Sequence, residues 1–303
     1  MDIHAVMYDF GHMTAVPCLI IRNERVRQET QGGTAAGTVK DAKRGCGCGG
    51  KRQKGRDKMG YEMTGRIRYS DLDENGFLSA DSAAAYFQDC STFHDEDCGL
   101  GLRYWEKRGA FWAITGWKFL FFEMPYHGAR VTIRTDATGF RAYTGIRTFG
   151  MRGEDGKLLA AGHTRWALLA RPEGVPTKIA PEEVAAYGVS EGLPIPVENG
   201  RIAIPAISGE GIVMTEMFLD WNHHVNNIQL LRMALSYLPE GFSPRVVRAA
   251  YHRQVLRGAV LYPAFVTDDK VMSGGLVDEK GEAYCFFEFR KEMTEEEAAI
   301  GRL

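Results

Sequence analysis

The chain has 303 residues, 45% of them apolar and 25% charged, with a formal net charge of −2. That is enough chain for one large or two medium globular domains, and the near-neutral balance gives no whole-molecule field drawing it to nucleic acid or an anionic membrane. No run of about 18 apolar residues is present to span a bilayer, and the six cysteines, at 18, 46, 48, 90, 98 and 285, form no C-x-x-C pair. Reduced thiols in a cytoplasm fit that spacing better than a disulfide framework or a zinc site.

Residues 1–58 differ in character from the rest of the chain. A short apolar patch, Val16 to Ile21, is succeeded by a Gly-rich stretch, by Cys46-Gly-Cys48 and by a basic run from Lys51 to Lys58. We read this stretch as a poorly ordered N-terminal tail. Acidic residues at Asp2 and Asp9 and an apolar run of only six residues do not make a signal peptide. Two thiols without nearby partners do not make a metal site.

From Gly60 the pattern becomes regular. The spacing predicts a strand over Glu62–Tyr69, a turn at Asp71 to Gly76, and a helix from Ser79 to about His94 with Ala83, Phe87 and Cys90 inward. Apolar and alternating runs then predict antiparallel strands over Phe111–Phe122, Arg130–Thr138, Tyr143–Arg152 and Leu158–Leu169, the last two joined by a turn at Glu154 to Lys157. A short helix is expected at Pro181–Tyr187, and a Pro- and Gly-containing linker runs to about Gly211.

The next stretch, Asp220 to Asn227, crowds a carboxylate, three amides and two imidazoles immediately before an amphipathic helix. Ile228, Leu231, Leu235 and Leu238 make that helix's apolar stripe, Pro239 and Gly241 stop it, and Asn226 or Asn227 is placed to cap its first N–H groups. The positive end of the helix dipole there is a place for a polarised carbonyl oxygen. Setting Asp73 on Asp220, 147 positions later, also sets Asn75 on Asn222, Leu78 on Val225 and one helix start on the other. The hairpin at Asp278 to Gly281 matches the one at Glu154 to Lys157, so the second half repeats the first. At His223 and His224 the first copy has Gly76 and Phe77, which makes one copy chemical and the other structural.

One long helix lying across an antiparallel sheet, repeated in tandem, gives an α+β chain with a tandem hot-dog fold: two antiparallel sheets, each wrapped around one helix. The expected boundaries are a tail at 1–58, a first, structural domain at 59–185, a linker at 186–211 and a second, catalytic domain at 212–303.

The chain over roughly residues 60–292 resembles the acyl-acyl carrier protein (acyl-ACP) thioesterases of plant plastids and bacteria. In the first copy the likeness rests on Trp112, Pro125-Tyr126-His127-Gly128, Gly139, Arg141, Gly156, Trp166 and Lys178 to Val184. In the second it rests on Asp220-x-Asn222-x-His224-Val225-Asn226-Asn227 and on Tyr251-x-Arg253. The resemblance implies hydrolysis of a fatty acyl-ACP to free fatty acid in fatty acid biosynthesis, with acyl carrier protein as acyl donor, a fatty acyl chain as ligand, no cofactor or metal, no nucleic-acid or membrane partner, and a cytoplasmic monomer or homodimer. It places Asp220, Asn222 and His224 on the family's active-site positions. Where the family carries an acid after Tyr-x-Arg, this chain has Gln254, followed by Val255.

A neutral His224 can serve as general base or orient water, Asn222 can position it or bind the carbonyl, and Asp220 can hold His224 in one tautomer or itself activate water. Gln254 binds a carbonyl or water but takes no proton, which leaves Asp220 as the carboxylate of the motif. The alternatives are an acyl-CoA thioesterase and a catalytically weak acyl-binding protein, the latter because of Gln254 and Val255. A hydratase would need Asp-x-Asn-Pro-x-His, one residue longer. His252 is a candidate assistant to Gln254. Cys90 and Cys98 lack a basic partner and read as packing residues. Arg245, Arg248, Arg253 and Arg257 form a candidate basic surface for an acidic carrier protein.

Overall fold

The computed structural model describes residues 60–198 and 200–303. The expected tail, with its Cys-Gly-Cys, lies outside the described residues. The first half runs β1 (Tyr61–Arg66), α1 (Ala80–Asp97), α2 (Leu102–Arg108), β2 (Ala110–Phe121), β3 (Arg130–Arg141), β4 (Thr144–Gly153), β5 (Leu158–Ala170) and α3 (Pro181–Tyr187). The second runs β6 (Ile212–Val213), α4 (Asn227–Leu235), β7 (Val246–Tyr251), β8 (Val260–Thr267), β9 (Val271–Val277), β10 (Ala283–Arg290) and α5 (Glu295–Ile300).

The strands form one sheet in the order β1-β3-β4-β5-β2-β7-β10-β9-β8-β6, with antiparallel pairing throughout. Read from the centre outward, the two halves have the same strand order. The expectation of two separate sheets is therefore corrected. β2 and β7 are the open edges of their halves, and they pair across the seam from Gly116–Ala250 to Leu120–Val246, which satisfies both rows of edge N–H and C=O groups.

α1 starts at Ala80 because Ser79 caps it, its side chain accepting from Ser82 N. It lies on the sheet through Ala83, Phe87 and Cys90, each no more than 1% exposed. Phe87 stacks on Phe119 of β2 and tilts against Phe149 of β4, at 5.7 and 5.2 Å between ring centroids. α4 packs beside α1 on the same core, joined by an ion pair of Arg232 with Asp81 at 2.7 Å. α4 is shorter than its apolar stripe predicts. It ends at Leu235, where Ser236 Oγ donates back to Met233 O at 2.7 Å and the next N–H groups, of Tyr237 and Leu238, bond three residues back. That tighter winding carries Leu238 past the helix end.

The other face of the sheet is covered by the segment between the halves. Ile195 packs with Leu120, Leu158, Val246 and Ile300, and Ile202 and Ile204 pack with Ala264, Val277 and Phe286. Beneath this strap sits a buried ionic network across the seam. Lys118 of β2 donates to Pro196 O at 2.7 Å and pairs with Glu198 and Glu297, while Arg248 of β7 and Arg290 of β10 also pair with Glu198. The α2 and α5 helices are not visible in the periodicity; each has fewer than eight residues, too short for a 3.6-residue pattern to register, and neither opens on a proline as α3 does.

Candidate active site

The stretch from Asp220 to Asn226 is a built turn. Glu216–Phe218 forms a single 3-10 turn, Leu219 bridges Val225, and Asp220 N bonds His224 O at 2.8 Å. Asp220 Oδ1 accepts from the N–H groups of Asn222 at 2.7 Å and His224 at 3.3 Å. The first half holds the same construction: Tyr69–Asp71 is its 3-10 turn, Leu72 bridges Leu78, and Asp73 Oδ1 accepts from Asn75 N at 2.9 Å and Phe77 N at 3.0 Å. One oxygen of Asp220 is therefore a turn-former, as in its counterpart, and Oδ2 is the oxygen left for water or substrate.

The copies differ at one strained position. Gly76 sits in the left-handed region at φ 85°, and its counterpart His223 holds φ 60° with a full side chain. That conformation costs a non-glycine residue about 1–2 kcal/mol.

The structure brings Asp220, Asn222 and His224 together on this turn. His224 is half-buried. Burial, with Arg171 and His223 adding to it, pushes its imidazole below the ordinary value against the pull of Asp220. It is therefore neutral at pH 7 and able to accept a proton. Asn226 is the residue that caps α4, its Oδ1 accepting from Ile228 N at 2.8 Å, and Tyr251 Oη donates to Asn227 O at 3.2 Å. Gln254 lies on the neighbouring segment, which is held by Val225 N bonding Val255 O at 2.8 Å and by a bridge between His224 and Leu256. Its side chain is exposed, and its Nε2 lies 3.9 Å from where a Cβ on Gly174 would stand. It faces the turn after β5 and makes no hydrogen bond to the other three residues among the described residues.

Residues 58–187 match the family model for the acyl-ACP thioesterase N-terminal domain. The first half of the chain therefore carries an acyl-ACP thioesterase N-terminal domain. Among solved structures, it is similar to an acyl-ACP thioesterase from Bacteroides thetaiotaomicron, with a TM-score of 0.70 and 19% identity over 77% of this chain and 97% of that one. It is also similar to the 12:0-ACP thioesterase from Umbellularia californica, with a TM-score of 0.66 and 16% identity over 78% and 98%. At those identities the likeness is one of fold, and it bears out the tandem hot-dog architecture. No curated protein sequence matches the chain.

Sequence reasoning missed Arg171, at the end of β5 in the acyl-ACP thioesterase N-terminal domain. Its Nη2 donates to Asn222 Oδ1, and its guanidinium lies 4.9 Å over the Phe111 ring, whose centroid is 5.7 Å from that of His224. A lone arginine beside a proline carries no motif, so only the docking of the first half on the second reveals it.

Other candidates resolve differently. His252 is exposed and packs its ring edge against Phe286, whereas Tyr251 faces the α4 core, so His252 is turned away from the motif. Cys90 is buried, its thiol pushed up to about 12 by desolvation, and Cys98 is raised by the same cause; neither is poised as a thiolate. The basic surface does not form as expected. Arg248 is buried in the ionic network, Arg253 pairs with Asp278 and Glu282, and Arg257 pairs with Glu216, which leaves these cations matched by acids on their own chain. Those acids lie 25 to 50 residues away along the chain, and only strand pairing and turn folding set them opposite the arginines.

Proposed function

We propose that this chain, whose first half carries an acyl-ACP thioesterase N-terminal domain, hydrolyses the thioester of a fatty acyl-ACP in fatty acid biosynthesis, releasing free fatty acid and carrier protein. The observation that carries the reading is a single turn presenting a carboxylate oxygen, an amide and a neutral, half-buried imidazole together. His224 takes the proton of water attacking the acyl carbonyl, Asp220 Oδ2 orients that water and stabilises the charge that forms on His224, and Asn222 donates to the carbonyl oxygen as it becomes an oxyanion. The proton on His224 then passes to the departing thiolate. Gln254 lines the approach as a hydrogen-bonding group. No cofactor or metal enters this scheme.

The acyl chain is assigned to the space between α1 and the sheet of the first half. Trp112, Phe140, Trp166 and Tyr187 close around a cavity of only about 10 Å³ there, so a chain enters by turning these rings aside. No helix among the described residues is long and apolar enough to cross a membrane, and a cytoplasmic monomer or homodimer fits a chain that holds both copies of the fold in one sheet.

The test is thiol release from acyl-ACP and acyl-CoA by wild type and Asp220→Ala. The reading expects turnover of acyl-ACP, and a loss of about a hundredfold to ten-thousandfold in the variant. Preference for acyl-CoA would move the assignment to a CoA thioesterase.

A further inference from the structure

Resting on the hydrolytic reading above, we propose that Arg171 is a positioning residue of the active site, supplied by the first half to the second, which fixes the amide of Asn222 with its NH₂ group toward the substrate carbonyl. A guanidinium has donors only, so the atom of Asn222 that meets Arg171 Nη2 is the amide oxygen. Once Oδ1 is held by Arg171, Nδ2 points away from it. The amide's orientation, which is otherwise open to a flip, is set by chemistry. The result is a donor aimed out of the turn, the group needed where charge develops on an acyl oxygen.

The surroundings of Arg171 support this role. No carboxylate among the described residues pairs with it, and its Nε is buried without a hydrogen-bond acceptor among them, so the guanidinium is anchored by Asn222 and by the face of Phe111. A buried donor left unmatched is destabilising, and an arginine that only anchored the surface would have no reason to bear it. Phe111 in turn packs on the His224 ring at 5.7 Å, so the one side chain braces both Asn222 and His224. The charged and titratable groups that act on His224 are Asp220, Arg171 and His223. Of these, Arg171 is the one carried by the other half. The catalytic turn is thereby complete only when the halves are docked.

The test combines acyl-ACP thiol release with an NMR titration of His224 in the full chain, for wild type, Arg171→Gln, Arg171→Lys, Asn222→Ala and the double variant Arg171→Gln/Asn222→Ala. We expect Arg171→Gln to lower kcat about a hundredfold with KM little changed, the scale of a misplaced catalytic group. Lysine should restore part of the rate. The double variant should be no slower than Asn222→Ala by more than a few-fold, because the arginine acts through that amide. The His224 titration should move upward in Arg171→Gln, which reports that the guanidinium stands beside the ring, while the double-variant rates report whether it acts through Asn222. An unchanged kcat, or losses that multiply in the double variant, would overturn the proposal while leaving the hydrolytic reading intact. If the wild type hydrolyses no acyl thioester, the hydrolytic reading fails, and an unmoved His224 titration then overturns the Arg171 assignment on its own.

Discussion

At the residue scale the site depends on how each side chain's surroundings set what it can do. Asp220 and Asp73 form the same turn with the same oxygen, and what distinguishes them is the company of His224 in one copy and Phe77 in the other. The motif Asp-x-Asn-x-His was legible because it is contiguous. Arg171 was not, since it lies 51 residues from Asn222 and meets it only through the fold. The depressed imidazole of His224 gives a pH prediction. A base must be neutral, so kcat/KM should rise with pH through a midpoint below the ordinary 6.5 and level off before neutrality. His224→Gln should remove that limb. A limb centred above 6.5 would show that another group is the base.

At the scale of elements, the tandem repeat was readable from an offset of 147 residues because both turns need an Asx residue, a left-handed position and a capped helix start at the same spacing. What could not be read was where α4 stops, which the Ser236 back-bond decides, and that β2 and β7 join the halves, which no local pattern encodes. The repeat also supplies an internal control for strain. Gly76 occupies the left-handed position at no steric penalty, whereas His223 keeps a side chain there. His223→Gly should raise stability by about 1 kcal/mol in urea unfolding, since glycine relieves the left-handed strain by more than its greater chain entropy removes. A destabilised variant would mean that the imidazole makes contacts stronger than the strain it bears.

For the whole molecule, the sheet seam is clamped from the face opposite α1 and α4. Glu297 is 2.6 Å from both Lys118 Nζ and Arg290 Nη2, so it links β2, β10 and α5. Burial alone would raise its carboxyl, but the hydrogen bonds from Arg290 and Lys118 overcome this and hold it down to about 2. A depressed folded-state value means the stabilisation is fully present above the ordinary 4.5 and is lost as pH falls through about 2. Glu297→Gln should therefore be less stable than wild type at pH 7, with the gap in melting temperature closing between pH 4.5 and 2. A gap that stays constant across that window would assign the stability to packing of α5 instead. The linker was legible as Pro- and Gly-containing sequence, but its role as a strap was not, because Ile195, Ile202 and Ile204 are too widely spaced to form a periodic pattern.

On the proposed function, this turn hydrolyses acyl-ACP with a glutamine, Gln254, where the resemblance to acyl-ACP thioesterases implies an acid. The decisive experiment is the steady-state rate of thiol release from acyl-ACP by wild type and Gln254→Glu side by side. Because Gln254 is exposed and makes no hydrogen bond to Asp220, Asn222 or His224, wild type should turn over and the variant should differ from it by less than about tenfold, well short of the loss of a general base. An inert wild type together with an active Gln254→Glu would contradict the proposal, and would make this chain an acyl-binding protein that has lost its catalytic acid.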